Sequence, residues 1–158
     1  MPDNTPIPVK IKGVMPAANG FAVFLEATEK IFVIHVEPVV ANAIKMALKG
    51  EKTPRPLTHD LFCSLLDGLN ANISHVLINH ASQGTYYARL VVHMKNEVAQ
   101  KLIEIDARPS DCLILAIKRK VPIFITRKVL EETEDMSDVL NHFRSSEDDE
   151  SDEKNTDE

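Results

Sequence analysis

The sequence has no tryptophan, only two cysteines and only five glycines among its 158 residues. The cysteines, Cys63 and Cys112, match neither a CxxC metal-binding spacing nor a disulfide framework, so we expect reduced, partly buried thiols. The glycines form neither GxGxxG nor GxxxxGK, which excludes a glycine-rich phosphate-binding loop. The histidines show no HxH or HExxH spacing, so a zinc site is not predicted.

Long apolar runs are also missing. No stretch reaches the roughly 20 apolar residues that a membrane span needs. Residues 1–6 lack the basic start and apolar run of a signal peptide, so we expect a cytoplasmic protein that does not associate with a membrane. An apolar content of 44% in 158 residues is enough for one hydrophobic core and predicts one compact domain.

Charge is unevenly distributed along the chain. Residues 131–158 contain 13 of the 24 acidic residues and two basic ones, which gives this segment a net charge of −11. Residues 1–130 carry 16 basic and 11 acidic residues, so the body of the protein is mildly basic at +5. Residues 145–158 contain no apolar side chain and are predicted to form a disordered acidic tail behind a domain of residues 1–144.

Apolar periodicity predicts alternating groups of strands and helices. Strands are expected at residues 7–11, 21–25, 30–36, 72–79, 85–94, 102–105 and 122–125. Helices are expected between Pro38 and Gly50, at residues 58–69, at residues 110–118, and as one or two short helices within residues 129–140. The order βββ-αα-βββ-α-β-α indicates the α+β class, with helices packed on a single mixed sheet.

Two Arg-Pro dipeptides each precede a predicted helix. We call the two segments the first corner, Arg55-Pro56-Leu57-Thr58-His59-Asp60, and the second corner, Asp106-Ala107-Arg108-Pro109-Ser110-Asp111. Proline suits the first helical turn, acids suit a helix start, and Thr58 and Ser110 are the predicted N-cap residues. Capping leaves the two arginines, His59 and Asp106 without a required structural role.

These segments resemble the bifunctional nuclease family. The resemblance rests on residues 55–61, Gly84-Thr85-Tyr86-Tyr87-Ala88, residues 105–111 and residues 121–124, in that order, and covers about residues 8 to 130. Glu37 matches an acid that family members carry at the start of the first helix, although Pro38 replaces the small residue that follows it. The resemblance implies a single α+β domain that is often oligomeric, with divalent-metal-dependent nuclease activity in some members.

Phosphodiester hydrolysis requires an activated water and stabilisation of charge on the phosphate oxygens, often by metals that carboxylates hold. The predicted ligands for Mg²⁺ or Mn²⁺ are Asp60, Asp106 and Asp111. Arg55, Arg108 and Ser110 are predicted to bind phosphate, the arginines through bidentate contacts. His59 is predicted to transfer protons because its ordinary pKa is near neutrality. The resulting hypothesis is a metal-assisted nuclease acting on DNA or RNA.

Two alternatives remain open at this stage. Each corner taken singly could be purely structural, with its arginine holding a helix start to a nearby acid or carbonyl. The whole protein could instead be a non-enzymatic binding or regulatory module that recognises a phosphate, an anion or a partner protein. The basic run Lys118-Arg119-Lys120 is interpreted as a solvated helix end, with contact to a nucleic-acid backbone as the alternative.

Overall fold

The computed structural model describes residues 5–153, and within this range the elements follow the predicted order. The strands are β1 (Ile7–Ala17), β2 (Gly20–Ala27), β3 (Lys30–Val36), β4 (Ala71–Ser82), β5 (Thr85–Lys95), β6 (Gln100–Ala107) and β7 (Ile123–Ile125). The helices are α1 (Pro38–Lys49), α2 (Thr58–Gly68), α3 (Pro109–Arg119), α4 (Arg127–Glu132) and α5 (Ser137–Glu153). Strand β1 is longer than predicted because residues 10–17 pair with β2.

The described strands form one sheet in the order β3-β2-β1-β7-β4-β5-β6. Two antiparallel meanders, β1 to β3 and β4 to β6, are joined at the centre by the short strand β7. Strand β7 runs antiparallel to β1 and parallel to β4. The sheet is therefore mixed, and the predicted α+β class is confirmed.

Helix α3 is the centre of the helical layer. Residues 109–116 are buried with the exception of Asp111, which is only half-buried. Helices α1 and α2 pack against α3, and strands β4 and β5 lie against it. The apolar run Cys112 to Ala116 thus contributes to the main core, while Asp111 is the one charged group that its first turn brings to the edge of that core.

The two predicted N-caps are wrong. Helix α2 begins at Thr58 itself, with Leu57 in the N-cap position, and the carboxylate of Asp60 accepts the Leu57 backbone N–H at 2.9 Å. Helix α3 begins at Pro109 with Arg108 at its N-cap, and no side chain in the described structure caps it. In α3, the preset φ and missing N–H of Pro109 suit the first helical residue, so the helix begins at the Arg-Pro dipeptide. In α2, Pro56 lies outside the helix, and the Asp60 carboxylate takes the N-cap N–H instead.

The acidic C-terminal segment is only partly described. Helix α5 includes residues 145–153 of the predicted tail, while residues 154–158 lie outside the described residues. The disordered tail and the domain limit at residue 144 therefore stay predictions. Among the described helices, none has both the length and the apolar character needed to cross a membrane.

Candidate active site

The two Arg-Pro corners meet at one carboxylate. His59 Nε2, in the first turn of α2, lies 2.9 Å from Asp111 Oδ1 in the first turn of α3. The Nε atom of Arg108 donates to the other oxygen, Asp111 Oδ2, at 3.2 Å. Residues from both predicted corners, 52 positions apart in sequence, therefore form one cluster, which we call the His59–Asp111–Arg108 cluster.

The ionisation of Asp111 determines the proton position on His59. Burial by itself would raise the pKa of the Asp111 carboxyl, but hydrogen bonds from His59 and Arg108 outweigh burial and hold that pKa below its ordinary value. An ionised carboxylate can only accept hydrogen bonds, so the proton of a neutral His59 ring sits on Nε2. The Nδ1 atom then carries a lone pair, and no hydrogen bond from a described residue reaches it. His59 is thus oriented as a proton acceptor.

The acid of the first corner has a different set of partners. Asp60 Oδ1 accepts from Lys118 Nζ at 2.8 Å, and Oδ2 accepts from the Leu57 backbone N–H. The Lys118 hydrogen bond, followed by that of Leu57, lowers the pKa of Asp60. Both oxygens of Asp60 are therefore engaged in holding the start of α2 and in joining α2 to the end of α3.

Two predicted site residues lie apart from the cluster. Asp106, at the end of β6, has a side chain that is 72% exposed, and its Oδ1 is 3.8 Å from NH1 of Arg89 on β5. Arg55 is exposed in the loop before α2, and within the described residues it forms no ion pair. The structure therefore does not bring Asp60, Asp106 and Asp111 to one point.

The three predicted metal ligands do not form a cluster of metal-binding side chains. Among the side chains that the structure describes, which end at residue 147, no group of three or more His, Cys, Asp or Glu could hold a metal ion. Each of the three predicted carboxylates is instead paired with a cationic side chain: Lys118, Arg89 or Arg108. The residues present do not fit a metal centre built from one chain alone. The requirement for Mg²⁺ or Mn²⁺ stays a prediction.

Two cavities flank the cluster. The larger groove, about 680 Å³, lies between α1, α2, α3 and the loop before α2, and His59 and Lys118 are among its lining residues. The α1–α3 cavity, about 250 Å³, lies where α1 and α3 begin, and Arg108 and Ser110 line it. Because His59 and Arg108 bind the same carboxylate, Asp111 stands between the linings of these two spaces.

Sequence reasoning misjudged the basic run at the end of α3. Lys118 binds Asp60, and Arg119 NH2 donates to the Cys63 carbonyl oxygen at 2.8 Å and to Asp67 Oδ2 at 2.9 Å. These two side chains join α3 to α2, so the interpretation as a solvated helix end is wrong for them. The repeated acids of α2 at positions 60 and 67, two turns apart, were the available signal.

His35, Glu37 and Tyr86 also line the α1–α3 cavity but were not predicted as site residues. Burial raises the pKa of Tyr86, so its hydroxyl stays neutral and can donate a hydrogen bond. The resemblance had marked Glu37 and the segment containing Tyr86. It could not show that they face the second corner, because strands β3 and β5 lie far from residue 108 in sequence.

The arrangement combines a histidine oriented by an acid, an arginine on the same acid and an adjacent basic groove, which are the parts of a phosphoester-processing or phosphate-binding site. A family model described as the bifunctional nuclease domain matches residues 23–137. The chain belongs to the bifunctional nuclease domain family.

Two relatives illustrate the range of similarity. An uncharacterized protein of Mycobacterium tuberculosis (strain H37Rv) is 37% identical over 90 residues, which are 57% of this chain and 51% of that protein. Bifunctional nuclease 1 of Oryza sativa subsp. japonica is 29% identical over 84 residues, which are 52% of this chain and 25% of the rice protein. The matched regions thus span about half of the mycobacterial protein and a quarter of the rice protein.

Proposed function

We propose that this protein hydrolyses phosphodiester bonds in DNA or RNA at the His59–Asp111–Arg108 cluster. One observation carries the proposal: the 2.9 Å contact between His59 Nε2 and Asp111 Oδ1, with Arg108 on the second carboxylate oxygen. A purely structural corner would need only an acid at a helix start. It would not need a histidine from another helix, and the second ring nitrogen of His59, Nδ1, has no protein partner among the described residues. Family membership supports the same class of reaction.

His59 is the general base in this proposal. Its Nδ1 takes a proton from a water molecule, and the water oxygen forms a bond to phosphorus as the bond to the leaving ester oxygen breaks. Asp111 holds the ring in the tautomer that exposes Nδ1, and its negative charge stabilises the imidazolium that forms. The leaving oxygen takes its proton from solvent, and His59 later returns its own proton to solvent.

Arg108 is the proposed phosphate-binding residue. It binds Asp111 through Nε, and with a side chain 65% exposed its terminal nitrogens can reach a phosphate group. Those nitrogens would stabilise negative charge that builds up on the non-bridging oxygens. Arg55 would bind a neighbouring phosphate from the loop that borders the larger groove, which is also lined by Lys52, Lys118 and Lys120. The mildly basic body of the protein supports binding of a polyanion.

No step of this mechanism passes through a metal ion. The requirement for Mg²⁺ or Mn²⁺ is kept as a separate part of the proposal because Mg²⁺ commonly binds through one or two carboxylates together with phosphates of the substrate. An assay with each metal and with chelator measures this requirement directly.

The central experiment compares purified wild-type protein with Asp111→Asn on single-stranded and double-stranded DNA and RNA. We expect the variant to lose most of the activity in either orientation of its amide. If the amide oxygen faces Nε2 of His59, it lacks the negative charge that stabilises the imidazolium. If the amide NH₂ faces Nε2, it donates a hydrogen bond and moves the proton of neutral His59 to Nδ1. Asp138→Asn, an exposed acid in α5, is the matched control and should keep full activity. Equal activity of Asp111→Asn and wild type would overturn the proposed cluster.

The same experiment tests the alternative function. A binding or regulatory module would retain nucleic acid or anions without converting them. The observation that favours this alternative is the pairing of every predicted catalytic acid with a cation, which leaves none of these three carboxylates unpaired for a metal ion. Saturable binding by wild-type protein without any turnover, under all metal conditions, would replace the nuclease proposal with this one.

We also keep the homo-oligomer as part of the proposal. Helix α2 exposes Leu61, Leu65 and the following Leu69, which are 65%, 58% and 54% exposed at a spacing of four residues. Such an apolar stripe is self-complementary and suits a second copy of the chain. Light scattering should show an oligomer that Leu61→Gln and Leu65→Gln together convert to monomer; a monomeric wild-type protein would contradict this.

A cytoplasmic location is likewise a proposal, which imaging of the tagged protein would test.

A further inference from the structure

The α1–α3 cavity is formed by two helix starts. Glu37 and Val40 line it from the start of α1, and Arg108 and Ser110 line it from the start of α3. Thr85, just after the β4–β5 turn, closes another side. Because the N-terminal end of a helix carries partial positive charge, two such ends at one cavity favour a negatively charged occupant.

The backbone donors at both helix starts have no capping partner. Each helix has proline as its first residue, so its first available N–H groups belong to Val39 and Val40 in α1 and to Ser110 and Asp111 in α3. In the described structure no side chain caps either helix. Polar groups of this kind are normally satisfied by a side chain, by water or by a ligand.

Ser110 points independently to a ligand. The residue is only 7% exposed, and no described residue forms a hydrogen bond with its hydroxyl group. Ser110 is one of the residues that line the α1–α3 cavity, and its Oγ is not among fully buried polar atoms without a partner, so this atom is accessible to a small occupant. A nearly buried hydroxyl without a protein partner is unfavourable unless another group supplies the hydrogen bond.

We propose that the α1–α3 cavity binds a phosphorylated sugar, such as a mononucleotide or the phosphorylated end of a nucleic acid strand. The α3 start, Arg108 and Ser110 hold the phosphoryl group. On the α1 side, the exposed carboxylate of Glu37 accepts hydrogen bonds from sugar hydroxyls and disfavours a bare phosphate ion. A volume of about 250 Å³ corresponds to roughly eight water molecules, which suits one phosphorylated sugar and not a duplex.

This assignment deepens the proposed nuclease function and rests on it where strand ends are concerned. Arg108 lines the cavity and also binds Asp111, which in turn binds His59 at the larger groove. A strand whose terminal phosphate occupies the cavity would therefore lead past His59 into the larger groove. Hydrolysis would then act preferentially from phosphorylated ends.

Binding is tested by calorimetry on the full chain with adenosine 5′-monophosphate, adenosine and inorganic phosphate. The wild-type protein should bind the monophosphate more tightly than either of the other two probes. Ser110→Ala should weaken that binding about tenfold because it removes a hydrogen bond to a charged group. Ser64→Ala, at an exposed position of α2, is the matched control and should bind like wild type. Equal binding of adenosine and the monophosphate, or unchanged binding by Ser110→Ala, would overturn the assignment.

Two further variants test the two ends of the cavity. Ser110→Asp places a carboxylate where the phosphoryl group is expected and should abolish monophosphate binding; if this variant does not fold, Ser110→Ala decides the question alone. Glu37→Gln should reduce the preference for the monophosphate over inorganic phosphate. An unchanged preference would remove Glu37 and the sugar from the assignment and overturn it in this form.

The final experiments distinguish phosphate binding in the α1–α3 cavity from hydrolysis at the His59–Asp111–Arg108 cluster. His59→Gln should lose hydrolysis but keep monophosphate binding. Faster hydrolysis of oligothymidylate with a 5′-phosphate than without it identifies a strand end as the occupant; equal rates with inhibition by the monophosphate identify a free nucleotide. Equal rates without inhibition would overturn the assignment. Monophosphate binding by a wild-type protein that hydrolyses nothing would refute the nuclease and leave the cavity assignment standing.

Discussion

In the first corner the acid stabilises its own helix start, whereas in the second corner the acid binds a histidine from the other corner. Asp60 uses one oxygen for the Leu57 backbone N–H and the other for Lys118. Asp111 uses its oxygens for His59 and Arg108 and leaves its own helix uncapped. Two corners that share an Arg-Pro dipeptide and an acid at the third helical position thus have different hydrogen-bond networks.

The difference shows which features of an Arg-Pro corner are structural. In α2 the acid at the third helical position, Asp60, binds the backbone at the helix start. In α3 the acid at the same position, Asp111, does not cap its own helix in the described structure, so its carboxylate can bind His59 and Arg108 instead. Functional sites commonly carry such locally unfavourable features. The asymmetry between Asp60 and Asp111 supports the proposal that the chemistry takes place at the second corner.

The largest expected effect concerns activity. His59→Gln should lower kcat by about 100- to 10,000-fold because it removes the proposed base. Asp60→Asn should change kcat little, because it alters a helix start and the contact with Lys118 without touching Asp111. The measurement is steady-state nuclease kinetics of both variants at saturating substrate. Comparable losses in the two variants would erase the distinction between the corners.

The next effect concerns stability. Asp111→Ala should lower the free energy of unfolding by about 1–2 kcal/mol, because two charge-assisted hydrogen bonds are lost at a side chain that is 33% exposed. Asp60→Ala should cost about 0.5–1 kcal/mol, the range for a lost helix-start contact near the surface. Urea denaturation with Asp138→Ala as an exposed control measures both. A larger loss for Asp60→Ala would reverse the comparison.

The acid dependence of stability should follow Asp111. Its pKa is lowered in the folded protein from an ordinary value of 3.8, so between the two pKa values the unfolded chain binds more protons. This contribution is fully present above about pH 4 and is lost as the pH falls through the lowered folded pKa. Asp111→Asn should therefore flatten the decline in unfolding free energy below pH 4. An unchanged slope would show that the His59 and Arg108 contacts do not stabilise the ionised form.

The smallest effect is expected at Asp106. The Asp106–Arg89 contact is long and exposed, so Asp106→Asn should change the free energy of unfolding by less than about 0.5 kcal/mol. The nuclease assay should show near wild-type activity with and without Mg²⁺. Loss of the metal-dependent activity in this variant would instead support the predicted ligand set, with Asp106 acting alongside Asp111.

The element order could be predicted because local signals and burial agreed. Alternation marked the strands, and Pro38 and Gly50 bracketed α1, where Gly50 adopts the left-handed conformation expected after a helix end. The helix starts at 58 and 109 were recognisable, but their capping residues were not. In α3 the first helical residue is Pro109, which has no N–H to cap, whereas in α2 the acid at the third helical position binds the N–H of Leu57. Only the backbone geometry shows this difference.

The meeting of the two corners could not be predicted from the sequence. Helices α2 and α3 are separated by β4, β5 and β6, so their approach depends on the folded sheet and on the burial of α3. The role of Arg119 was hidden for the same reason, since a basic last turn is also common in solvated helices. Site residue types were identifiable, while their pairing required the tertiary structure.

Strand β7 has a consequence for how the protein is made. Its three residues complete the sheet between β1 and β4, so each of these strands keeps an open edge until residues 123–125 leave the ribosome. Until then the nascent chain carries two meanders with unpaired backbone groups, which can pair with each other or with another chain. A release of the chain before residue 123 would therefore yield an aggregation-prone fragment, even though all the residues of the His59–Asp111–Arg108 cluster had already been synthesised.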